Sequence, residues 1–333
     1  MSQPLPRAFE DAVGAAVDYR PGPIMTFADL FCGIGGFHLA ASALGLKCAY
    51  ACDIDEQARK AYEANFGITP GNDIIQAKPS ELPEFDLLCA GFLCQPFSII
   101  GDRKGLADPR GALFREIIRL AREKRPAALV LENVRQLVSI KGGSVFDRIL
   151  QDIAGLGYYT DHRILNALDY GLPQKRERVL IVATRKRFDA FPWPDRKTPM
   201  KPLSGVLEKN PDSRYFVSDK IRESRRKAHS SPHKIGIWHE NKGGNVSSHP
   251  YSCALRAGAS YNYLLVNGER RLTPREMLRL QGFPDEYKII SNDSQIRKQA
   301  GNAVPVPLAY TAIQGVLQVY DQSTATKGQR NKA

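Results

Sequence analysis

Strand-like apolar stretches alternate with helix-like stretches along the first half of the chain, and this alternation constrains the fold more than any other feature. Strands are predicted at residues 25–30, 48–52, 85–90, 128–131 and 179–183. Helices are predicted between them, for example at 57–65 and 113–124. Such alternation is typical of a parallel sheet whose strands are joined by crossover helices. We therefore expect an α/β, Rossmann-like fold with a mostly parallel sheet.

The alternation ends near residue 188, where the composition changes. Five prolines between 192 and 211 precede a basic stretch at 220–227 and glycine-rich, strand-like segments. A helix-start signature follows at Thr273-Pro274-Arg275-Glu276, and an apolar helix is predicted from Val306 to about Tyr320. We predict an N-terminal arm (1–23), a main domain (24–187 and 290–322), a smaller irregular domain (188–289) and a basic tail (323–333).

Composition narrows the class of protein without fixing its function. Lys and Arg outnumber Asp and Glu by 47 to 35, a net charge of +12 that is suited to a polyanionic partner, although charge alone fits an ordinary basic surface better. The six cysteines form no CxxC pair, and no histidine cluster has metal-ligand spacing, so no metal site is expected. With no secretory signal and no apolar run long enough to span a bilayer, we expect a reducing, cytoplasmic location.

A glycine-rich turn between a predicted strand and a predicted helix is the first candidate site. The segment Phe27-Ala-Asp-Leu-Phe-Cys-Gly33-Ile-Gly35-Gly36-Phe37 lets a ligand approach the backbone and the unpaired amides of the helix start. A dinucleotide fingerprint would need its third glycine at His38, so the match to that motif fails.

Two carboxylates extend this candidate cofactor site. Asp53 ends the next predicted strand, twenty residues after Gly33, where it could hold the hydroxyls of a ribose. Asp73 could accept a hydrogen bond from an adenine amino group, and Phe31 could pack against the purine. The combination fits S-adenosylmethionine better than NAD, while a plain strand–turn–helix explains the same residues without any ligand.

Cys94 is the candidate nucleophile. It lies in Gly91-Phe-Leu-Cys-Gln-Pro-Phe-Ser98, between an apolar strand and a loop rich in glycine and charge. Most cysteines that are not in disulfides are buried and inert. Gln95, Pro96 and Ser98 are poor core residues, however, which favours a displayed thiol.

Polar residues at two further strand ends complete the candidate active site. Glu132 follows an apolar strand, and a carboxyl at the carboxyl edge of a parallel sheet faces the ligand crevice, where partial burial would raise its pKa. Gln174, Arg176 and Arg178 alternate along a strand and should share one face, where a base or phosphate could pair with them. A solvated acid and ordinary ion pairs are the alternatives.

Together these segments resemble the DNA (cytosine-5) methyltransferase family of bacterial modification systems. The match covers nearly all of residues 24–317 and consists of motifs in the family's order: Phe31–Phe37, Gly91–Ser98, Glu132-Asn133-Val134, Gln174-x-Arg176-x-Arg178, Arg271–Glu276 and Gln299–Pro305. Six ordered motifs are very unlikely to agree by chance, even though each alone is only suggestive.

The resemblance implies S-adenosylmethionine as cofactor and a role for each matching residue. Cys94 would attack carbon 6 of a flipped-out cytosine, Glu132 would bind ring nitrogen 3, Arg178 would hold oxygen 2, and Arg176 would steady the loop or a phosphate. Gln95, Ser98, Arg110 and Gln174 would bind the substrate. The cofactor site would be formed by Phe31, Gly33, Gly35, Gly36, Asp53, Ile54, Asp73, Leu113, Asn302 and Val304.

The resemblance also implies partners. Double-stranded DNA would be the substrate, residues 188–289 would form the target-recognition domain, and the protein would act as a monomer at the bacterial nucleoid. A restriction endonuclease acting on the same site could accompany it.

Two departures from the family pattern bear on activity. Leu93 stands where the family has proline directly before the nucleophile, which could loosen the placement of Cys94. Ala254 stands where the family usually has threonine near the end of the recognition region.

Three alternatives therefore stay open. One is a cytosine-5 methyltransferase acting on transfer RNA, a known branch of the family. Another is a DNA-binding protein on an impaired methyltransferase scaffold. The last is an NAD-dependent oxidoreductase, which fits the alternating pattern but not the missing glycine.

Overall fold

The computed structural model describes residues 24–92, 112–194 and 197–330, without the side chains of residue 112 and of residues 322–330. The elements of the first half are, in chain order, β1 (Thr26–Leu30), α1 (Gly36–Ala43), β2 (Lys47–Cys52), α2 (Glu56–Phe66), β3 (Leu87–Gly91), α3 (Ala112–Lys124), β4 (Ala128–Val134), α4 (Ser144–Ala154), β5 (Tyr159–Asn166), β6 (Gln174–Lys175) and β7 (Glu177–Thr184).

The second half contains shorter strands and more irregular chain. Its elements are α5 (Asp219–Ala228), β8 (Ile237–Glu240), β9 (Val246–His249), β10 (Ser252–Cys253), β11 (Leu264–Val266), α6 (Pro274–Leu280), α7 (Asp293–Asn302) and α8 (Val306–Arg330). Strands β11, β8 and β9 form a small antiparallel sheet. How this part divides into domains stays a prediction.

The main sheet has the strand order β2-β1-β3-β4-β7-β5. Strands β1 to β4 pair in parallel, whereas β7 is antiparallel to both β4 and β5. The predicted α/β class with a mostly parallel sheet is confirmed. The sequence pattern missed β5, because this edge strand is largely exposed and carries Asp161, His162 and Arg163 in place of an apolar run.

Helices cover both faces of this sheet. Apolar side chains alternate along the central strands and divide into two cores, as expected for strands buried on both sides. One core packs the sheet against α1 and α8, through residues such as Phe27, Leu87, Val130 and Leu180. The other packs it against α3 and α4, through residues such as Leu30, Leu88, Leu129 and Ile181.

The predicted start of α6 is confirmed, whereas the predicted end of the last helix is wrong. In α6, Thr273 accepts a hydrogen bond from the Glu276 amide, and the Glu276 carboxylate accepts one from the Thr273 amide, so the predicted capping box is confirmed. The last helix was expected to end near Tyr320, but α8 continues to Arg330. Helix α8 therefore includes most of the predicted tail. In the described part of the chain, no helix is long and apolar enough to cross a membrane.

Parallel pairing brings the ends of β1 to β4 to one edge of the sheet. Gly91 at the end of β3 lies opposite Glu132 in β4, and the glycine turn after β1 lies beside the end of β2. The carboxyl edge of an open α/β sheet is where ligands bind in such folds. The candidate site is therefore at this edge.

Candidate active site

A cavity of about 350 Å³ opens at the carboxyl edge of the sheet. Of the ten predicted cofactor residues, all described, nine line it: Phe31, Gly33, Gly36, Asp53, Ile54, Asp73, Leu113, Asn302 and Val304. Glu132 lines the same cavity. One cavity thus unites residues from four strand ends and from the turn after α7. That these residues bind a cofactor stays a prediction.

Two glycines shape the turn that forms the floor of this cavity. Gly35, the predicted residue that does not line the cavity, has φ +85°, and a Cβ there would lie 2.2 Å from the Phe66 ring. A Cβ on Gly36 would lie 2.6 Å from the Val304 carbonyl oxygen. Glycine is needed at both positions because α1 begins in a left-handed conformation and packs directly on the backbone of Val304. The start of α1 carries no side-chain cap.

The carboxylate of Asp53 is held in place by two backbone amides. Its Oδ2 accepts a hydrogen bond from Gly33 N at 2.8 Å, and its Oδ1 accepts one from Asp55 N at 2.8 Å. Burial raises the pKa of Asp53, while these amide hydrogen bonds lower it. Each carboxylate oxygen can accept a further hydrogen bond, which suits a ligand that has two neighbouring hydroxyls.

Ile54 and Asp73 present different chemistry on the wall of the cavity. Ile54 is 74% exposed, an unusual state for isoleucine beside a concave site, and offers an apolar face to a flat ring. Asp73 Oδ1 accepts a hydrogen bond from Ile75 N at 3.0 Å, which fixes its side chain at the cavity. Arg59 Nη1 donates to the carbonyls of Asp53 and Ile54 and so positions the end of β2.

Glu132, which lines the cavity, forms an ion pair with Arg178. Arg178 Nε lies 2.7 Å from Glu132 Oε1, and both side chains are largely buried. Burial raises the pKa of Glu132, and the charges of Arg178 and Arg176 oppose this rise. A raised pKa agrees with the prediction that the carboxyl group at this position holds a proton.

Arg176 and Gln174 have contacts that the sequence did not suggest. They were expected on one face of a strand, and both are buried whereas Lys175 between them is exposed, as that alternation predicts. The strand itself is divided at Arg176 into β6 and β7. Arg176 is fully buried and donates to the carbonyls of Leu255, Gly301 and Ala303. Its described contacts therefore join distant backbone segments around the cavity.

Gln174 has a similar set of contacts. Its Nε2 donates to the Leu280 carbonyl, and its Oε1 accepts from Leu255 N. These contacts use both ends of the amide and support a positioning role. The predicted contact of Gln174 with substrate stays untested.

Asn133 lies beside Glu132 in the motif Glu132-Asn133-Val134, but no role was predicted for it from the sequence. Its side chain is buried, and Nδ2 donates to the Phe92 carbonyl at 2.8 Å. This bond holds the backbone at Phe92, two residues before the predicted nucleophile Cys94. Cys94, Gln95, Ser98 and Arg110 lie outside the described residues.

Lys298 was also missed, because its signal is an ion pair between distant segments. Its Nζ lies 2.7 Å from Asp55 Oδ2, and both residues line the cavity. The pair connects α7 to the start of α2. No group of acidic, histidine and cysteine side chains suited to a metal ion occurs among the described residues.

A buried polar cluster lies behind the glycine turn. The Tyr62 hydroxyl is 2.7 Å from His38 Nδ1 and 3.4 Å from Asp29 Oδ2, and Asp29 Oδ1 has no hydrogen-bond partner among the described groups. Burial, and secondly the charge of Asp53, raises the pKa of Asp29 well above its usual range. Burial lowers the pKa of His38 to about 3. Tyr62 donates to Asp29 Oδ2, and a proton held on Asp29 would avoid an uncompensated buried charge.

Asp29→Asn is therefore expected to become progressively more stable than the wild type as pH rises above about 4. A carboxyl whose folded-state pKa is raised stabilises the fold below its unfolded pKa, and this contribution is lost as pH rises toward the folded pKa. Between the unfolded and folded pKa values of Asp29, the free energy of unfolding of the variant minus that of the wild type should grow by up to about 1.4 kcal/mol per pH unit. Urea unfolding at pH 4 to 8 measures it, with Asp152→Asn on α4 as the control. Parallel stability curves for Asp29→Asn and the wild type would show that Asp29 is ionised.

Comparison with known proteins decides the family. The family model described as C-5 cytosine-specific DNA methylase matches residues 25–318. The Type II methyltransferase M.NgoBI of Neisseria gonorrhoeae is 49% identical over 283 residues, which cover 84% of this chain and 89% of that protein. The Type II methyltransferase M.HaeII of Haemophilus aegyptius is 48% identical over 285 residues, with the same coverage. The chain belongs to the C-5 cytosine-specific DNA methylase family. The predicted family and enzyme class are confirmed.

Solved structures agree in fold. The Entamoeba histolytica methyltransferase EhMeth has a TM-score of 0.69 at 18% identity, covering 89% of this chain and 98% of its own. The S. pombe Dnmt2 methyltransferase has a TM-score of 0.67 at 20% identity, covering 88% of this chain and 98% of its own. These similarities support the α/β architecture of the methylase.

Proposed function

We propose that this methylase transfers the methyl group of S-adenosylmethionine to carbon 5 of a flipped-out cytosine at a specific site in duplex DNA. The observation that carries the proposal is the cavity that joins the glycine turn and Asp53 to Glu132, the ion-pair partner of Arg178. Family membership supplies the reaction class, and the cavity supplies adjoining places for a cofactor and a base.

The residues of the cavity fit S-adenosylmethionine. Asp53 would accept from its ribose hydroxyls, Ile54 and Phe31 would cover the purine, and Asp73 would accept from the adenine amino group. Because Gly36 has no Cβ, α1 packs directly on the backbone of Val304. Two segments that line the proposed cofactor site are therefore in contact with each other. When bound, the cofactor supplies an electrophilic methyl group.

The protein residues would activate the cytosine ring. Carbon 5 of cytosine is a weak nucleophile, and addition of the Cys94 thiolate to carbon 6 converts the ring to an enamine. Glu132 would hold a proton at ring nitrogen 3 and so favour this addition. Arg178, which contacts Glu132, would hold oxygen 2. The attack comes from above the ring plane, and the cytosine must therefore leave the duplex stack.

Methyl transfer from labelled S-adenosylmethionine tests this function and its substrate together. Duplex DNA is expected to be labelled and transfer RNA is not. Bisulfite sequencing of plasmid from cells that express the chain should then reveal one methylated sequence context. Labelling of transfer RNA alone would replace the proposed substrate, and labelling of neither would contradict methyltransferase activity.

Leu93→Pro is expected to raise turnover above that of the present sequence. Proline would fix the backbone directly before Cys94, whereas leucine leaves it freer and adds bulk near the flipped base. The present chain should therefore show reduced but measurable activity. Single-turnover methylation rates of the two proteins measure the effect, with Leu93→Ala as the control for bulk. Equal rates for the wild type and Leu93→Pro would show that the substitution is neutral.

A further inference from the structure

A second crevice lies between the small antiparallel sheet and α7, outside the cofactor cavity. Its walls carry arginine and tyrosine side chains: Tyr215, Arg256, Tyr261, Tyr263, Arg271 and Arg297. The guanidinium of Arg271 lies 4.8 Å from the centre of the Tyr261 ring, and that of Arg297 lies 4.5 Å from the same centre. Arg256 lies 4.8 Å from the centre of the Tyr263 ring.

These three arginines lack acidic partners in the part of the chain that the structure describes. Arg271 donates to Asn262 Oδ1, and Arg297 donates to the Ala259 carbonyl, both neutral groups. The buried Nε of Arg297 has no hydrogen-bond partner among the described residues. Asp293, the acid on this wall, pairs instead with Arg214. Among the described residues, three positive charges therefore lie in one crevice without an ion-pair partner.

Stacking on tyrosine rings leaves arginine suited to bind an anion. A guanidinium held by its face against a ring keeps N–H groups at its edge for oxygen acceptors. Tyr261 is 42% exposed and Arg256 is also exposed, so this ring and this charge face solvent, while Arg271 and Arg297 are partly buried. An oxyanion ligand at these edges would form charge-assisted hydrogen bonds.

The crevice adjoins the proposed active site through two short connections. Arg256 follows Leu255, whose carbonyl accepts from Arg176, the neighbour of Glu132 and Arg178. Arg297 precedes Lys298 on α7, and Lys298 lines the cofactor cavity. Two of the three arginines are therefore sequence neighbours of residues that contact or line the proposed active site.

We propose that Arg256, Arg271 and Arg297, held on Tyr261 and Tyr263, form a binding site for backbone phosphates of duplex DNA beside the target base. This inference rests on the proposed function, because it takes the substrate to be duplex DNA. Phosphate contacts position a protein on the duplex and carry no sequence information. The arginines would therefore contribute affinity equally at all sequences.

Salt dependence of DNA binding tests the site. Binding of a short fluorescently labelled duplex is measured by anisotropy across a series of salt concentrations, for the wild type, Arg271→Gln, Arg297→Gln and the double variant. Each lost phosphate contact should reduce the slope of log affinity against log salt by about 0.9, and weaken binding about eightfold at 0.1 M salt. The double variant should lose about twice that slope. Duplexes that contain the sequence that the enzyme methylates and duplexes that lack it should lose affinity equally.

Controls separate phosphate binding from folding. Arg148→Gln on α4, outside residues 188–289, removes an exposed arginine that already pairs with Asp152, and it should leave the slope unchanged. Melting temperature and S-adenosylmethionine affinity are measured for every variant and should stay at wild-type values. An unchanged slope, a loss confined to the methylated sequence, or a loss that follows a fall in melting temperature would overturn the proposal.

Wild-type methyl transfer is measured in parallel. An unchanged slope in an enzyme that methylates DNA counts against the phosphate site alone. An absence of methyl transfer to DNA counts against the proposed function.

Discussion

Replacement of Glu132 by glutamine is expected to lower the rate of methyl transfer by about 10²- to 10⁴-fold, the usual contribution of a positioned acid or base. Glutamine keeps the size of the side chain but cannot hold a transferable proton at ring nitrogen 3. It also removes the partner of Arg178, whose Nε lies 2.7 Å from Glu132 Oε1. The thiolate would then add to a ring whose developing charge is poorly stabilised.

Single-turnover kinetics with saturating S-adenosylmethionine measure this effect apart from product release. Cofactor affinity should change little, because Glu132 would act on the base. Glu177→Gln is a matched control, since Glu177 is the neighbour of Arg178 but pairs with Arg135 at the surface. A rate for Glu132→Gln within a few-fold of the wild type would remove Glu132 from the proposed chemistry.

Replacement of Cys94 by alanine is expected to reduce methyl transfer below detection, by more than about 10⁴-fold, because covalent addition splits one difficult step into two easier ones. Without that addition, carbon 5 stays too weakly nucleophilic to accept a methyl group. Affinity for DNA and S-adenosylmethionine should remain, since neither depends on the thiol.

The control for Cys94→Ala is Cys253→Ala. Cys253 is a partly buried free thiol in β10, and its removal should leave turnover near the wild-type value. Label transfer to duplex DNA compares the two variants. Comparable turnover in Cys94→Ala would exclude Cys94 as the nucleophile and would require another residue to activate the ring.

Local sequence signals selected residues that the structure brings together around one cavity, and their binding of a cofactor stays a prediction. Each signal lies within a few residues: the strand before Phe31, the glycines at the start of α1, and Asp53 at the end of β2. The physical requirement is also local, because a helix that begins at Gly35 with positive φ needs glycine there. These positions could therefore be assigned to one cavity before the fold was known.

The part of the site that depends on distant backbone was not predictable in the same way. Arg176 was expected to face substrate, yet its hydrogen-bond acceptors are carbonyls 79, 125 and 127 residues away in the chain. No periodicity in the neighbourhood of Arg176 encodes those partners. Strand β5 escaped prediction for a related reason, because its place at the sheet edge allows polar residues that a central strand excludes.

The most direct test of the proposed mechanism is a covalent complex with duplex DNA that contains 5-fluorocytosine at the target position. Fluorine at carbon 5 cannot leave as a proton does, so the enzyme that has transferred a methyl group should stay bonded to carbon 6. With S-adenosylmethionine present, we predict a denaturant-resistant complex whose peptide mass places the bond at Cys94, and no such complex for Cys94→Ala. A wild-type enzyme that methylates ordinary DNA but forms no complex, or forms one through another residue, would contradict the mechanism.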